Sequence, residues 1–87
     1  MEISMDRDKL FIKFGQTEGF DPPKEAWFRG ERGINDFCLL FKEGKWIVPN
    51  EDGSTRAEKM DDALREKLIP YIIEAAKEQG IIIKLWE

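Results

Sequence analysis

The sequence has no histidine and a single cysteine, Cys38, among its 87 residues. The absence of histidine excludes Ser-His-Asp and Cys-His mechanisms and every metal site with a histidine ligand. One cysteine cannot form an internal disulfide, and because Cys38 lies in an apolar run we expect a small buried hydrophobic residue. The sequence therefore predicts no catalytic residues, no metal ligands and no cofactor site, and we expect a protein that is not an enzyme.

Long apolar runs are also absent. Residues 1–8 lack the apolar core, roughly 7 to 15 residues long, of a secretory signal peptide. No apolar run approaches the roughly 18 residues needed to span a bilayer. We therefore expect a cytoplasmic protein that does not bind membranes.

Positive charge is scarcer than negative charge. The chain has 18 acidic and 14 basic residues, a formal net charge of −4, which opposes attraction to nucleic-acid phosphates and favours a cationic partner. Apolar residues nevertheless make up 41% of the chain, enough to offset the entropy of ordering one domain over residues 1–87. We expect a folded protein with no nucleic-acid partner.

The first third of the chain predicts a hairpin, a loop and a short strand. If residues 6–9 form a turn, five alternating apolar residues share one face of the hairpin: Ile3, Met5, Leu10, Ile12 and Phe14. Residues 15–24 have two glycines, two prolines and no period, which is typical of a loop. Residues 25–31 predict a short third strand interrupted by Gly30.

The most apolar stretch, Phe37–Pro49, predicts a central hairpin with a four-residue turn at 42–45. Pairing Phe41 with Trp46 collects large side chains on one face: Phe37, Leu39, Phe41, Trp46 and Val48. A shift by one residue would scatter them and forfeit about 1.5 to 3 kcal/mol of burial for each. We expect this face to form the core, with Cys38, Leu40 and Ile47 pointing the other way.

One long helix is predicted after an acidic segment, and two starts compete. Thr55, with a glutamate three residues on, has the capping-box pattern, whereas Asp61 is a good N-cap directly before the apolar repeat. Gly80 ends the repeat, and Pro70 inside it predicts a kink near Leu68.

After the helix, residues 81–86 predict a last strand that is buried on both faces near the middle of the sheet. The expected fold is α+β, mainly an antiparallel sheet of five to six strands. One long C-terminal helix packs on one face and the last strand follows it.

Two pairs of neighbouring carboxylates, Glu51-Asp52 and Asp61-Asp62, are the remaining candidates for general acid-base chemistry. Both lie in a polar, solvated segment that lacks the burial needed to raise a carboxyl pKa. The segment is better interpreted as helix-capping and solvating.

The second sheet face has more apolar residues than a soluble monomer usually exposes. It would hold Phe11, Cys38, Leu40, Ile47, Ile82 and Trp86, with Trp27 or Phe28 depending on register. Either the segment 15–36 folds across it, or a partner chain or second copy does. Stacking of nucleic-acid bases on these aromatic rings is disfavoured by the acidic charge.

The layout has two recognisable sequence features. The strand motif W-x-x-P is formed by Trp46 and Pro49, and the chain ends in the apolar run Gly80–Leu85 after one helix. In this pattern the chain resembles small bacterial immunity proteins of polymorphic toxin systems. The resemblance implies a non-catalytic inhibitor that neutralises a toxin by occluding it.

If the partner is a basic toxin domain, acidic residues would steer association and aromatic residues would anchor it. We expect Glu51, Asp52, Asp61 and Asp62 in the first role and Trp27 and Phe28 in the second. The alternative is a structural or regulatory module that forms a homodimer through the second sheet face or a sheet edge.

Overall fold

The computed structural model describes residues 1–86, except the side chain of Phe41. It confirms the predicted α+β class with six strands, one α-helix and a last strand after the helix. In chain order the elements are β1 (Glu2–Asp6), β2 (Lys9–Phe14), a short 3-10 helix (Gln16–Glu18), β3 (Lys24–Arg32), β4 (Asp36–Pro49), β5 (Thr55–Lys59), α1 (Asp62–Glu78) and β6 (Ile82–Trp86).

The sheet is ordered β1-β2-β3-β4, and the far edge of β4 is shared by two strands. β5 pairs antiparallel with the C-terminal part of β4, and β6 pairs parallel with its N-terminal part. Because the chain leaves this edge after β5 and returns to it as β6, α1 serves as the connection between them.

The first hairpin has the predicted register. Ile3 is opposite Ile12 and Met5 is opposite Leu10. Only Arg7 and Asp8 lie outside the ladder, and Arg7 adopts a positive φ of 58°. The turn is therefore shorter than predicted, but the faces are unchanged.

The predicted central hairpin at 37–49 is wrong. Residues Asp36–Pro49 form a single strand of 14 residues, with no turn at 42–45. Both halves of this strand pair with β3, because Phe28 is opposite Gly44 and Gly30 is opposite Leu39. Two steps along β3 thus match five steps along β4, so β4 has three extra residues in a bulge between these pairs.

The bulge explains why the predicted core face is nevertheless largely confirmed. Phe37, Leu39 and Trp46 are buried, and Val48 packs against the core. Because the bulge adds an odd number of residues, the inward-facing side chains are at odd positions before it and at even positions after it. The predicted turn would have had the same effect. The predicted place of Phe41 on this face lies outside the described side chains.

β3 is longer than predicted and includes Gly30. The loop before it packs on the helix side of the sheet, where the Phe20 ring lies 5.2 Å from Phe14 and 5.6 Å from Trp46 between centroids. The alternative in which residues 15–36 cover the second face is therefore wrong, since the loop caps the end of the core and the rest of the segment is mainly strand.

The helix begins after Asp61, whose carboxylate accepts a hydrogen bond of 3.1 Å from the amide of Leu64. This confirms the second of the two predicted starts, and Thr55 lies in strand β5 instead. The helix continues through Pro70, and the kink near Leu68 stays a prediction. Gly80, with φ 80°, follows the helix end as predicted.

The core lies between α1 and one face of the sheet, here called the inner face. Its fully enclosed side chains come from β2, β3, β4, the β5–α1 connection and α1: Phe14, Phe28, Phe37, Leu10, Ile12, Leu39, Met60 and Ile72. α1 adds Leu68, Ile69 and Ala76 at helical spacing. The opposite face, the outer face, is not covered by α1.

The predicted central position of the last strand is wrong. Within residues 1–86, β6 pairs only with β4, and only Ile83 of its five residues is buried. The reason is that β4 is one strand rather than two, so β6 adds to its free edge instead of entering between hairpins.

Candidate functional site

The outer face shows two distinct surfaces, one on each side of the bulge in β4. Opposed residues in neighbouring strands point to the same side of a sheet, so the register identifies every outward side chain. On the β5 side, one row crosses five strands and contains two aromatic residues followed by two lysines. This row, called the aromatic-lysine row, consists of Ser4, Phe11, Trp27, Lys45 and Lys59.

Trp27 lies at the centre of the row and is half-buried among cations. The ammonium group of Lys9 is 4.8 Å from the centroid of the indole ring, and the guanidinium carbon of Arg29 is 5.9 Å from it. Arg29 also pairs with Asp8 at 3.7 Å. Trp27 is thus accessible from solvent, and its role as a partner anchor stays a prediction.

Phe28 was predicted as the second anchor, and the structure corrects this. Its side chain has no exposed surface and faces the core. Because neighbouring residues of a strand point to opposite faces, only one of Trp27 and Phe28 can be outward.

The second surface lies along the free edge of β6. Among the described residues, five large hydrophobic side chains are exposed, and four of them lie on β6 or at the adjoining β3–β4 turn: Ile34, Ile82, Leu85 and Trp86. The amide of Ile82 donates a 2.9 Å hydrogen bond to the carbonyl of Asn35, which brings the turn against the start of β6. We call these four residues the apolar edge.

Half-buried residues of β4 extend the apolar edge onto the outer face. Leu40 is opposite Trp86, and Cys38 is opposite Lys84. Cys38 is half-buried with a free thiol, so it is less enclosed than predicted. Lys84 forms an ion pair of 3.3 Å with Asp36.

The four predicted steering carboxylates do not form one cluster. Glu51 and Asp52 lie in the β4–β5 turn, whereas Asp61 and Asp62 lie beyond the other end of β5, and five strand residues span about 16 Å. Asp61 caps α1, and Asp62 forms a 2.7 Å ion pair with Arg65. All four are exposed.

Asp52 has a local structural role. The Ser54 hydroxyl and, at 3.0 Å, the Ser54 amide donate hydrogen bonds to its carboxylate, and these two bonds hold the pKa of Asp52 below its ordinary value. The bonds close the turn between β4 and β5, and the carboxylate stays charged at neutral pH.

A groove of about 740 Å³ runs between α1 and the 3-10 helix, lined by Phe20, Leu68 and Tyr71 among others. In the part of the chain that the structure describes, no group of three or more histidine, cysteine or carboxylate side chains could hold a metal ion. No helix in residues 1–86 is long and apolar enough to cross a membrane.

Comparison with protein-family models, with curated proteins and with solved structures gave no match. The candidate surfaces are therefore interpreted from their own geometry. The sequence contained signals for the aromatic residues, but not for the aromatic-lysine row, whose members come from β1 through β5 and meet only through strand pairing.

Proposed function

We propose that this protein is a non-enzymatic protein-binding domain of the immunity type, which neutralises a bacterial toxin by occluding it in the cytoplasm. The observation that supports this most is the apolar edge. Large hydrophobic side chains in water mark interaction sites when they cluster, and four of the five that are exposed among the described side chains cluster here.

The edge also offers backbone groups to a partner. A free edge strand has unpaired amide and carbonyl groups that can accept another strand. A partner strand beside β6 would cover Ile82 and Trp86 on the outer side and Leu85 on the inner side. Backbone hydrogen bonds would set the partner's register, and the Trp86 ring would supply much of the affinity.

Charge supports a basic toxin domain as the partner. The chain has a net charge of −4, and Glu51, Asp52, Asp61 and Asp62 are exposed on two sides of β5. Exposed carboxylates of this kind accelerate the encounter with a cationic protein without forming the contact itself. Trp27 would then anchor the partner only if the contact extends across the outer face.

The test is to look for a gene for a large secreted protein beside this protein's own gene, to co-express the two proteins, and to purify through a tag on the secreted protein. We expect a stoichiometric complex and loss of the toxin's activity. Trp86→Lys should weaken the complex at least about tenfold, the effect of removing a central aromatic anchor. Tyr71→Lys is the matched control, because Tyr71 is 61% exposed on α1, outside the apolar edge.

Recovery of the protein alone, with no gene for a large secreted protein beside its own, would contradict the immunity proposal. If Trp86→Lys and Tyr71→Lys weaken the complex equally, the apolar edge is not the surface that binds the toxin.

The second candidate function is self-association through the same edge, because an unpaired strand can pair antiparallel with its own copy about a two-fold axis. Sedimentation over a range of concentrations distinguishes the two. A dimer that dissociates in Trp86→Lys or Leu40→Lys but not in Tyr71→Lys favours the structural module, and a monomer at all concentrations favours a different partner chain.

A further inference from the structure

The aromatic-lysine row places two lysine side chains next to each other on neighbouring strands. Lys45 is directly opposite Lys59 on the adjacent strand. Like charges in this position repel and destabilise a sheet. Within residues 1–86, neither ammonium group has an acidic partner within ion-pair distance.

The surroundings of this pair are positive as well. On the β5 side of the bulge, five cations point outward: Lys9, Lys13, Arg29, Lys45 and Lys59. Four acids accompany them: Glu2, Asp6, Glu25 and Asp8, which pairs with Arg29 at 3.7 Å. Among residues 1–86, this surface therefore has a local excess of one positive charge in a chain whose net charge is −4. Two of the acids lie on β1, at the far edge from the opposed lysines.

Flat apolar surface lies next to the charge. Phe11 is opposite Trp27, and Trp27 is opposite Lys45, so the rings and the ammonium groups lie on one line across the sheet. A hollow of about 230 Å³ lies beside the two rings, with Ile47 and Ala57 on its other side. The ring of a ligand can enter this hollow while an anionic group of the same ligand reaches the lysines.

We propose that the outer face binds single-stranded nucleic acid, with bases against Phe11 and Trp27 and phosphates at Lys45 and Lys59. Sheet surfaces that bind single strands combine aromatic platforms with cations along the backbone. A phosphate between the two lysines would offset their repulsion. This proposal uses a different surface from the apolar edge and does not depend on the proposed function.

A nucleic acid matches this surface better than an acidic protein segment does. A single strand presents a flat base and a phosphate in every nucleotide, so it can place bases against the two rings and phosphates at the two lysines. An acidic peptide would satisfy the lysines but leave the adjacent rings without a stacking partner.

The test is fluorescence anisotropy of labelled oligothymidylate and oligouridylate, roughly ten nucleotides long, titrated with the full chain. We expect saturable binding that weakens with salt, with a slope of about −0.7 for each phosphate contact. Lys59→Glu should weaken binding at least about tenfold, since it replaces a phosphate contact by repulsion. Lys67→Glu, which makes the same charge change on exposed α1, should weaken it less than about threefold.

Lys59→Glu also separates binding from folding. It places a carboxylate opposite Lys45, so thermal unfolding should occur at an equal or higher temperature while binding is lost. Phe11→Ala is the second variant, and it should remove binding to the bases with less effect on the salt slope.

Four results would overturn the proposal: no binding of either oligonucleotide at low salt, equal losses in Lys59→Glu and Lys67→Glu, tighter binding of duplex than of single strands, or displacement by polyglutamate as effective as by unlabelled oligonucleotide.

Discussion

The Phe28 ring occupies the position that a side chain on Gly44 would need. The two residues are directly opposite each other on β3 and β4, and a Cβ atom at position 44 would collide with the ring. The contact lies beside the bulge in β4, where the inner face changes from odd to even positions. Because Gly44 has no side chain, the fully buried Phe28 ring can lie directly over the backbone of β4.

Gly44→Ala should therefore destabilise the protein by about 1 to 3 kcal/mol, the usual cost of overpacking a core. Chemical denaturation checks this value. Gly15→Ala is the control, because a Cβ atom there meets only Glu18 at an ordinary distance of 3.9 Å. Equal stability of Gly44→Ala and the wild type would contradict the packing of Phe28 over Gly44.

The continuous path of β4 can be measured directly. Spin labels at Asn35→Cys and Glu51→Cys, in a Cys38→Ser background, should lie more than about 30 Å apart, because an extended strand rises about 3.3 Å per residue. A hairpin would bring the two backbones to roughly 5 Å. A short distance from pulsed dipolar spectroscopy would overturn the single-strand topology.

The observed start of α1 predicts that substitutions of Asp61 and of Thr55 differ in how much they destabilise the helix. Asp61→Ala removes the acceptor for the Leu64 amide and should cost about 1 kcal/mol of stability. Asp61→Asn should retain most of it, because the amide oxygen can accept the same bond. Thr55→Ala is the comparison, and it should show no loss of helix capping, since Thr55 lies in β5. A larger loss of helix in Thr55→Ala than in Asp61→Ala would contradict the assigned start.

Glu18 predicts a dependence of stability on pH. The Gly15 amide donates a 2.8 Å hydrogen bond to its carboxylate, and this bond is the main cause that lowers the pKa of Glu18 below its ordinary value of 4.5. Above that value the carboxylate is charged in both the folded and the unfolded state, so the bond stabilises the fold in full. The contribution is lost as the pH falls below 4.5 and through the lowered folded pKa.

Glu18→Gln should therefore reduce the free energy of unfolding at neutral pH, and its difference from the wild type should shrink in acid. Denaturation at several pH values measures this difference. Glu66→Gln is the control on the exposed surface of α1. If the loss of unfolding free energy in Glu18→Gln stays constant from neutral to acid pH, the charged hydrogen bond is not the cause of that loss.

Local patterns predicted much of the fold because they depend on neighbouring residues. The alternation in residues 3–14 determined the faces and register of the first hairpin, and Gly80 marked the end of the helix. For the helix start the sequence offered Thr55 and Asp61, and the structure shows Asp61 as the N-cap. Phe37 and Trp46 were assigned to the core correctly even though their strand connection was wrong. Side-chain alternation indicates which face a residue lies on, but not how the strand continues. A bulge and a turn can move the inward-facing positions by the same number of residues.

The candidate surfaces depended on information that alternation does not contain. The apolar residues at 81–86 favoured a central strand, yet β6 lies at an edge because β4 runs straight and leaves a free side. Phe28 and Trp27 were indistinguishable as anchors until the register of β3 placed one in the core. The steering carboxylates were predicted as one set, and the length of β5 separates them.

The sequence by itself determined the faces of the first hairpin, the core side of Phe37, Leu39 and Trp46, and the end of the helix at Gly80. Only the tertiary structure decided that residues 36–49 continue as one strand, and that Trp27, Lys45 and Lys59 share a row although 32 positions separate the first from the last. The physical reason is that face preference arises from local periodicity, whereas strand order arises from backbone pairing and burial summed over the whole chain.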